Sequence, residues 1–198
     1  PFFFKDEFSD GWLVALWGIA SGIMATASLM GLIPEGLLSG TVFDVVIGLL
    51  IGVALVEVAS RLLDSHEIDP GQFEEADLKK LILILGVLTV HSFPEGVAIG
   101  VSFAELGLQG GIPVLGFAVP AVAITMTIAI SIHNIPEGIA ISIPFKSMNM
   151  SNWKMLGATI FSSLPQPIGA VIAFVFVREA RFVLPIGYGF AAGAMLYL

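Results

Sequence analysis

An all-α bundle of membrane-spanning helices is the fold this sequence predicts, and three observations predict it. Of its 198 residues 57% are hydrophobic and only 12% are charged. Mean hydropathy is +0.97, beyond what the mixed composition of globular chains allows. The apolar residues also gather in runs near the roughly 20 residues needed to cross a bilayer core about 30 Å thick.

Six runs follow in order: Gly11 to Ile33, Val42 to Leu63, Leu81 to Phe103, Ile112 to Phe145, Trp153 to Val177, and Leu184 to Leu198. The first five are each long enough to span. The sixth is still apolar at the last residue and reads as a truncated helix. The start, Pro1 to Asp10, is aromatic and charged, with no initiating Met and no basic-then-apolar leader, so a fragment or processed chain is expected there. The domain expectation is therefore one transmembrane unit over 1–198, shortened at both ends.

Polar punctuation is brief except from Asp64 to Lys80. There Asp69-Pro70-Gly71 marks a turn, and Glu74, Glu75 and Asp77 precede the next run, where acids favour a helix N-terminus. With alternating topology, Lys5, Arg61, Lys79, Lys80, Lys146 and Lys154 fall on one side and only Arg178 and Arg181 on the other. The positive-inside rule then places the N-terminal end and the loop 64–80 in the cytoplasm of a cell (plasma or inner) membrane protein. A formal charge of −8 disfavours nucleic acid as a partner. Having no cysteines removes disulfides and thiolate sites, leaving His, Glu, Asp, Asn and Met as metal ligands.

One internal repeat carries the chemistry. His91-Ser-Phe-Pro-Glu-Gly-Val-Ala-Ile-Gly recurs as His133-Asn-Ile-Pro-Glu-Gly-Ile-Ala-Ile-Ser on the next span, which runs in the opposite direction. Such a pair can be related by an axis in the membrane plane, an arrangement that puts transporter sites near the midplane. Each copy sets a His and a Glu four residues apart, His91 with Glu95 and His133 with Glu137, so each pair shares one helical face. Two facing pairs offer two imidazoles and two carboxylates, a shell suited to zinc and equally to iron, manganese or cadmium-like ions. Pro94 and Pro136 free the carbonyls of Val90 and Ile132 and predict a kink beside each His. Gly96 and Gly138 allow close helix approach. A carboxylate at the bilayer centre costs about 2.5 to 3.5 kcal/mol on insertion scales. A divalent cation offsets that directly, and protons do so once the metal has left.

Other polar residues carry blander readings. Glu57, four before Arg61, suits an interfacial ion pair as well as a role in ion exit. Glu35 and Asp44 are expected to be solvated near the opposite surface, His66 to be solvated in the long loop, and Met24 and Met30 to pack, although a thioether is a reasonable soft ligand.

The two motifs, His91-Ser92-Phe93-Pro94-Glu95-Gly96 and His133-Asn134-Ile135-Pro136-Glu137-Gly138, resemble the signature helices of the ZIP (Zrt/Irt-like) metal transporters, in particular the bacterial and GufA-like branch. The likeness extends to Ala20–Ser28 with Ile33-Pro-Glu35, similar to that family's second helix, and to Phe190–Tyr197, similar to its seventh. It implies a ZIP-like bundle in which the six segments are helices two to seven of eight. It also implies His91, Glu95, His133 and Glu137 as principal metal ligands, with Asn134 adding a donor oxygen and Met24 approaching from the adjacent helix. Two positions depart from the family pattern: Ser92 stands where Asn is frequent, and Gln166, before Pro167, where Glu is frequent. Both weaken a second metal position and favour one main ion.

The expected function is transport of divalent transition-metal ions toward the cytoplasm, Zn2+ first, with Fe2+, Mn2+ and Cd2+ as alternatives. The metal is cargo, and no prosthetic group is implied. Partners are the ions and the lipid bilayer, with a homodimer left open. An intramembrane metalloprotease is the enzyme rival, but its His-Glu-x-x-His string is missing. A proton relay or sensor is the other rival.

Overall fold

Helices make up nearly all of the computed structural model, which describes residues 9–64, 86, 90–107, 111–147 and 150–197. The first helix, α1 (Asp10–Thr26), passes through a π-helical turn, Ala27–Leu32, into α2 (Ile33–Ser39). Pro34 accounts for that turn. It has no N–H for the carbonyl of Met30, and the neighbouring Ile33 N–H reaches back five residues to the Ser28 carbonyl. The first run therefore continues past Ile33 to Ser39, because proline is well tolerated in the first turn of a renewed helix. Glu35 accordingly lies within a helix, partly exposed.

Next comes α3 (Val42–Asp64), opened by a capping box. The Thr41 N–H and Oγ1 donate to Asp44 Oδ2 at 3.0 and 2.7 Å, and the Asp44 N–H reaches Thr41 Oγ1 at 3.3 Å. Asp44 thus has a defined task in starting the helix. At the other end Arg61 pairs with Glu57 one turn earlier. The long loop, with His66, Glu67, Asp69, Glu74, Glu75 and Asp77, lies outside the described residues.

The first motif sits on α4, helical over residues 90–102. After it the expectation of a single apolar span from Ile112 to Phe145 needs correction. Residues Ile112–Val114 (β1) and Phe117–Val119 (β2) form an antiparallel hairpin with Ile112 opposite Val119, and helix α5 begins only at Ala121 and runs to Ser147. Pro113 and Pro120 interrupt helix formation, and the two turn residues, Leu115 and Gly116, have φ of 49° and 85°. Positive φ at both centres is the two-residue hairpin geometry that favours Asn-Gly. Leu115 is 95% exposed, so it bears a left-handed backbone worth roughly 1–2 kcal/mol of strain without packing in return. Leu115→Asn is expected to raise amide-exchange protection across the hairpin; unchanged protection would mean that the turn carries no such strain.

Two further helices, α6 (Asn152–Ser163) and α7 (Pro165–Glu179), are nearly continuous, broken at Leu164 ahead of Pro165 and Pro167. A short 3-10 turn, Arg181–Val183, leads into α8 (Leu184–Tyr197). Among the described residues four helical stretches are long and apolar enough to cross a membrane: Gly11–Ser39, Val42–Leu62, Ala121–Ile139 and Asn152–Glu179. Their large apolar side chains face outward, as with Leu38, Phe43, Leu50 and Phe176. Inside, small residues dominate, including Ala98, Ala123, Ala191, Ala192 and Ala194, each with no measurable exposure or nearly none. This is the pattern of a bundle solvated by lipid, where small residues rather than large apolar ones make the helix contacts.

Close packing joins α3 to α8. Gly48 and Gly52 lie against the backbone of Ile186, Phe190 and Ala194, while Gly189 and Gly193 lie against that of Val45 and Leu49. Two Gly-x-x-x-Gly strings, one on each helix, thus interlock in parallel. A third, Gly96 and Gly100 on α4, abuts the backbone of α7 at Gln166 and Ala170. That contact positions the site.

Candidate metal centre

Helix α4 carries His91 and Glu95 one turn apart on one face, and α5 does the same for His133 and Glu137. Both stay helical through their prolines. Glu95 has no exposed surface, Ser92 is 1% exposed, Glu137 5% and His133 6%. Four polar side chains this deep in a bundle require partners or a ligand.

One ligand atom each from His91, Glu95 and His133 lies within 4.8 Å of the others. Two donors on one zinc ion are at most about 4.2 Å apart, twice the usual metal–ligand distance, so a small side-chain adjustment closes the set around an ion. The nearest approach is His133 Nε2 to Glu95 Oε1, at 3.1 Å. Beyond that ion-pair contact, the ring nitrogens of His133 and Oε1 of Glu95 are buried, and no hydrogen bond of standard geometry satisfies them. The same holds for Glu137 Oε1 and Asn134 Oδ1. Glu137 is outside the three-residue cluster. It is close enough to Glu95 and His133 to feel both charges, and its carboxylate accepts a hydrogen bond from Ser92.

Gln166, on the first turn of α7, has both ends of its amide engaged. Its Nε2 donates to Glu95 Oε2 at 3.0 Å, and its Oε1 accepts from Asn134 Nδ2 at 3.0 Å. Met24 is 5% exposed. It lines a cavity of about 300 Å3 together with Trp17, Ala20, His91, His133 and Met195. Met195 was not singled out from the sequence, although it lies in the Phe190–Tyr197 stretch; nothing local distinguishes it from a packing methionine. Met30 is 78% exposed on the outer surface, away from that cavity.

The glycines of the two motifs differ. Gly96 touches the Gln166 backbone, whereas a Cβ at Gly138 would meet only Thr159 Cγ2 at 3.4 Å. Close approach through both glycines was expected; only Gly96 makes a backbone contact.

Comparison with known proteins adds an independent line. Residues 59–198 match the profile of the ZIP zinc transporter family. An Arabidopsis thaliana protein with a provisional zinc-transporter name is 36% identical over all of this chain, which spans 30% of that protein. The zinc transporter ZupT of Corynebacterium aurimucosum is 30% identical over 98% of this chain and 75% of its own length. The zinc transporter ZIPB of Bordetella bronchiseptica is 31% identical over 93% of this chain and 59% of its own. These relatives are named for transport and not for hydrolysis or any other catalysis, and the chain belongs to the ZIP zinc transporter family.

Proposed function

We propose that this protein carries divalent transition-metal ions, zinc foremost, across a cell membrane toward the cytoplasm, using the centre on α4 and α5. The observation that carries the reading is the convergence of His91, Glu95 and His133 at a point where buried donor atoms lack hydrogen-bond partners. Buried ligand atoms this poorly satisfied are costly, and a divalent cation satisfies several at once. The donors are imidazole and carboxylate, which suit zinc and also Fe2+, Mn2+ and Cd2+. His91, Glu95 and His133 bind first. The Asn134 and Glu137 oxygens then replace remaining hydration water, and the Met24 thioether faces the ion from the cavity. Ser92 acts through Glu137 and Gln166 through Glu95, each holding a carboxylate in place.

The cavity runs from His91 and His133 to Trp17, near the start of α1, and to Leu196, near the end of α8. Arg61, in the last turn of α3, marks the cytoplasmic face by the positive-inside rule, and on this reading that end of the bundle is the release side. Binding is strong enough to replace hydration and weak enough to let the ion go.

Uptake of radioactive zinc into proteoliposomes, with Fe2+, Mn2+ and Cd2+ as competitors, tests this. Saturable uptake slowed by at least one competitor is expected. Proton flux without any metal flux would favour a relay instead, and cleavage of a membrane peptide without metal flux would favour a hydrolase.

A further inference from the structure

Among the described residues the buried serines are Ser28, Ser92, Ser102, Ser142 and Ser162. Three return the hydroxyl to a carbonyl of their own helix: Ser102 to Ile99 and Ser142 to Gly138, each at 2.7 Å, and Ser162 to Thr159 at 2.9 Å. That is the usual way to satisfy a hydroxyl on a helix away from water. Ser92 donates to Glu137. Ser28 does neither: it has no exposed surface, and its Oγ has no hydrogen-bond partner. Every other buried side-chain polar atom left in that condition among the described residues belongs to Glu95, His133, Asn134 or Glu137. A hydroxyl that shares this property with the metal centre, and with no other part of the described bundle, requires the same explanation.

Ala20 and Met24 line a cavity shared with His91 and His133. Ser28 takes the next place at the same spacing of four, so it continues the face that those two present, about 6 Å further along the axis at roughly 1.5 Å per residue. It lies on the side away from Trp17 and Leu196, in the π turn that follows α1. Turns of this kind recur at functional sites. Leu32, Met126 and Ile130, buried in one core with Met24, are apolar. An ion that reaches the centre from that side therefore meets the Ser28 oxygen before it meets an imidazole.

We propose that Ser28 is a further ion ligand: its hydroxyl oxygen replaces one hydration water of a divalent cation at a transfer position one turn from the centre, before His91, Glu95 and His133 take the ion. The proposal rests on the metal-site reading above. A neutral hydroxyl offers lone pairs but no charge, so it holds the ion more weakly than the centre does. It governs the rate of transfer and leaves the equilibrium affinity to the imidazoles and carboxylates.

Two variants of the full chain test this, with zinc uptake measured in proteoliposomes and zinc binding at equilibrium in lipid nanodiscs. Ser28→Ala is expected to take up zinc about tenfold more slowly at saturating zinc, the rate equivalent of one lost polar contact, with equilibrium affinity unchanged. Ser28→Cys replaces a hard donor by a soft one of similar size, which favours Cd2+ over Mn2+. The Cd2+ concentration that halves zinc uptake should then fall about tenfold or more, while that of Mn2+ stays where it was. Wild-type uptake by Ser28→Ala, or an unchanged Cd2+ to Mn2+ ratio in Ser28→Cys, would overturn the proposal. So would a loss of equilibrium affinity in Ser28→Ala as large as its loss of uptake, since the serine would then serve the architecture of the centre. If Ser28→Ala does not fold, the ion preference of Ser28→Cys decides alone. A failure of the metal-site reading looks different: zinc binding would persist undiminished when His91 and His133 are both replaced by alanine.

Discussion

Zinc uptake by the double variant His91→Ala/His133→Ala is expected to fall by more than about 100-fold, with the protein still folded. The magnitude follows from a lower bound: losing a residue that merely orients a metal ligand costs 10–100-fold in affinity, and this change removes two of the three side chains that converge and are proposed to bind the ion directly. It leaves no imidazole at the centre, and the remaining donors are chiefly the oxygens of Glu95 and Glu137, a set that discriminates poorly in favour of zinc. Glu95→Gln complements it by keeping the volume and an acceptor for Gln166 while deleting the charge. Glu57→Gln serves as the control. Glu57 pairs with Arg61 on α3, away from the centre, and pairs at such exposed positions contribute little, so its uptake should match that of the unmodified protein. Wild-type uptake by the double histidine variant would make the histidines structural and remove the basis of the functional reading.

The repeat was legible because its chemistry is local. A His and a Glu four apart share a face wherever the segment is helical, and ionisable residues in an apolar run demand compensation. Hydropathy likewise revealed the helical membrane class. What hydropathy could not reveal was the start of α5, because Ile112–Val119 is as apolar as a spanning helix; only Pro113, Gly116 and Pro120 hinted at the hairpin. Nor did it show where the first run ends, since Pro34 lies in a renewed helix after a π turn instead of terminating one. The Gly-x-x-x-Gly strings on α3, α4 and α8 were visible as letters, but which helix each one faces is a tertiary fact. The same applies to Gln166. One sequence position gave its neutrality, and only the fold brings it between Asn134 and Glu95.

Identical substitutions in the two copies of the motif should therefore behave differently. In Gly96→Ala the new methyl group would fall well inside contact distance of the Gln166 backbone, which has no rotamer with which to yield. α4 and α7 must separate, and the cost expected is about 3 kcal/mol or more, the upper part of the range for overpacking. Separation also draws the Gln166 amide away from Glu95 Oε2, breaking a 3.0 Å hydrogen bond at the centre, so zinc affinity should fall along with stability. In Gly138→Ala the methyl group meets only the end of the Thr159 side chain, at 3.4 Å. A displacement of tenths of an ångström accommodates it, and replacing Gly by Ala inside a helix recovers up to about 1 kcal/mol of propensity. Its net effect should lie within about 1 kcal/mol of zero, with zinc binding retained. Thermal unfolding of both variants in the same detergent, followed by zinc titration, measures the contrast. Equal losses at the two glycines would mean that the α4–α7 contact does not position the centre, and that the repeat is symmetric in its energetics as well as in its sequence.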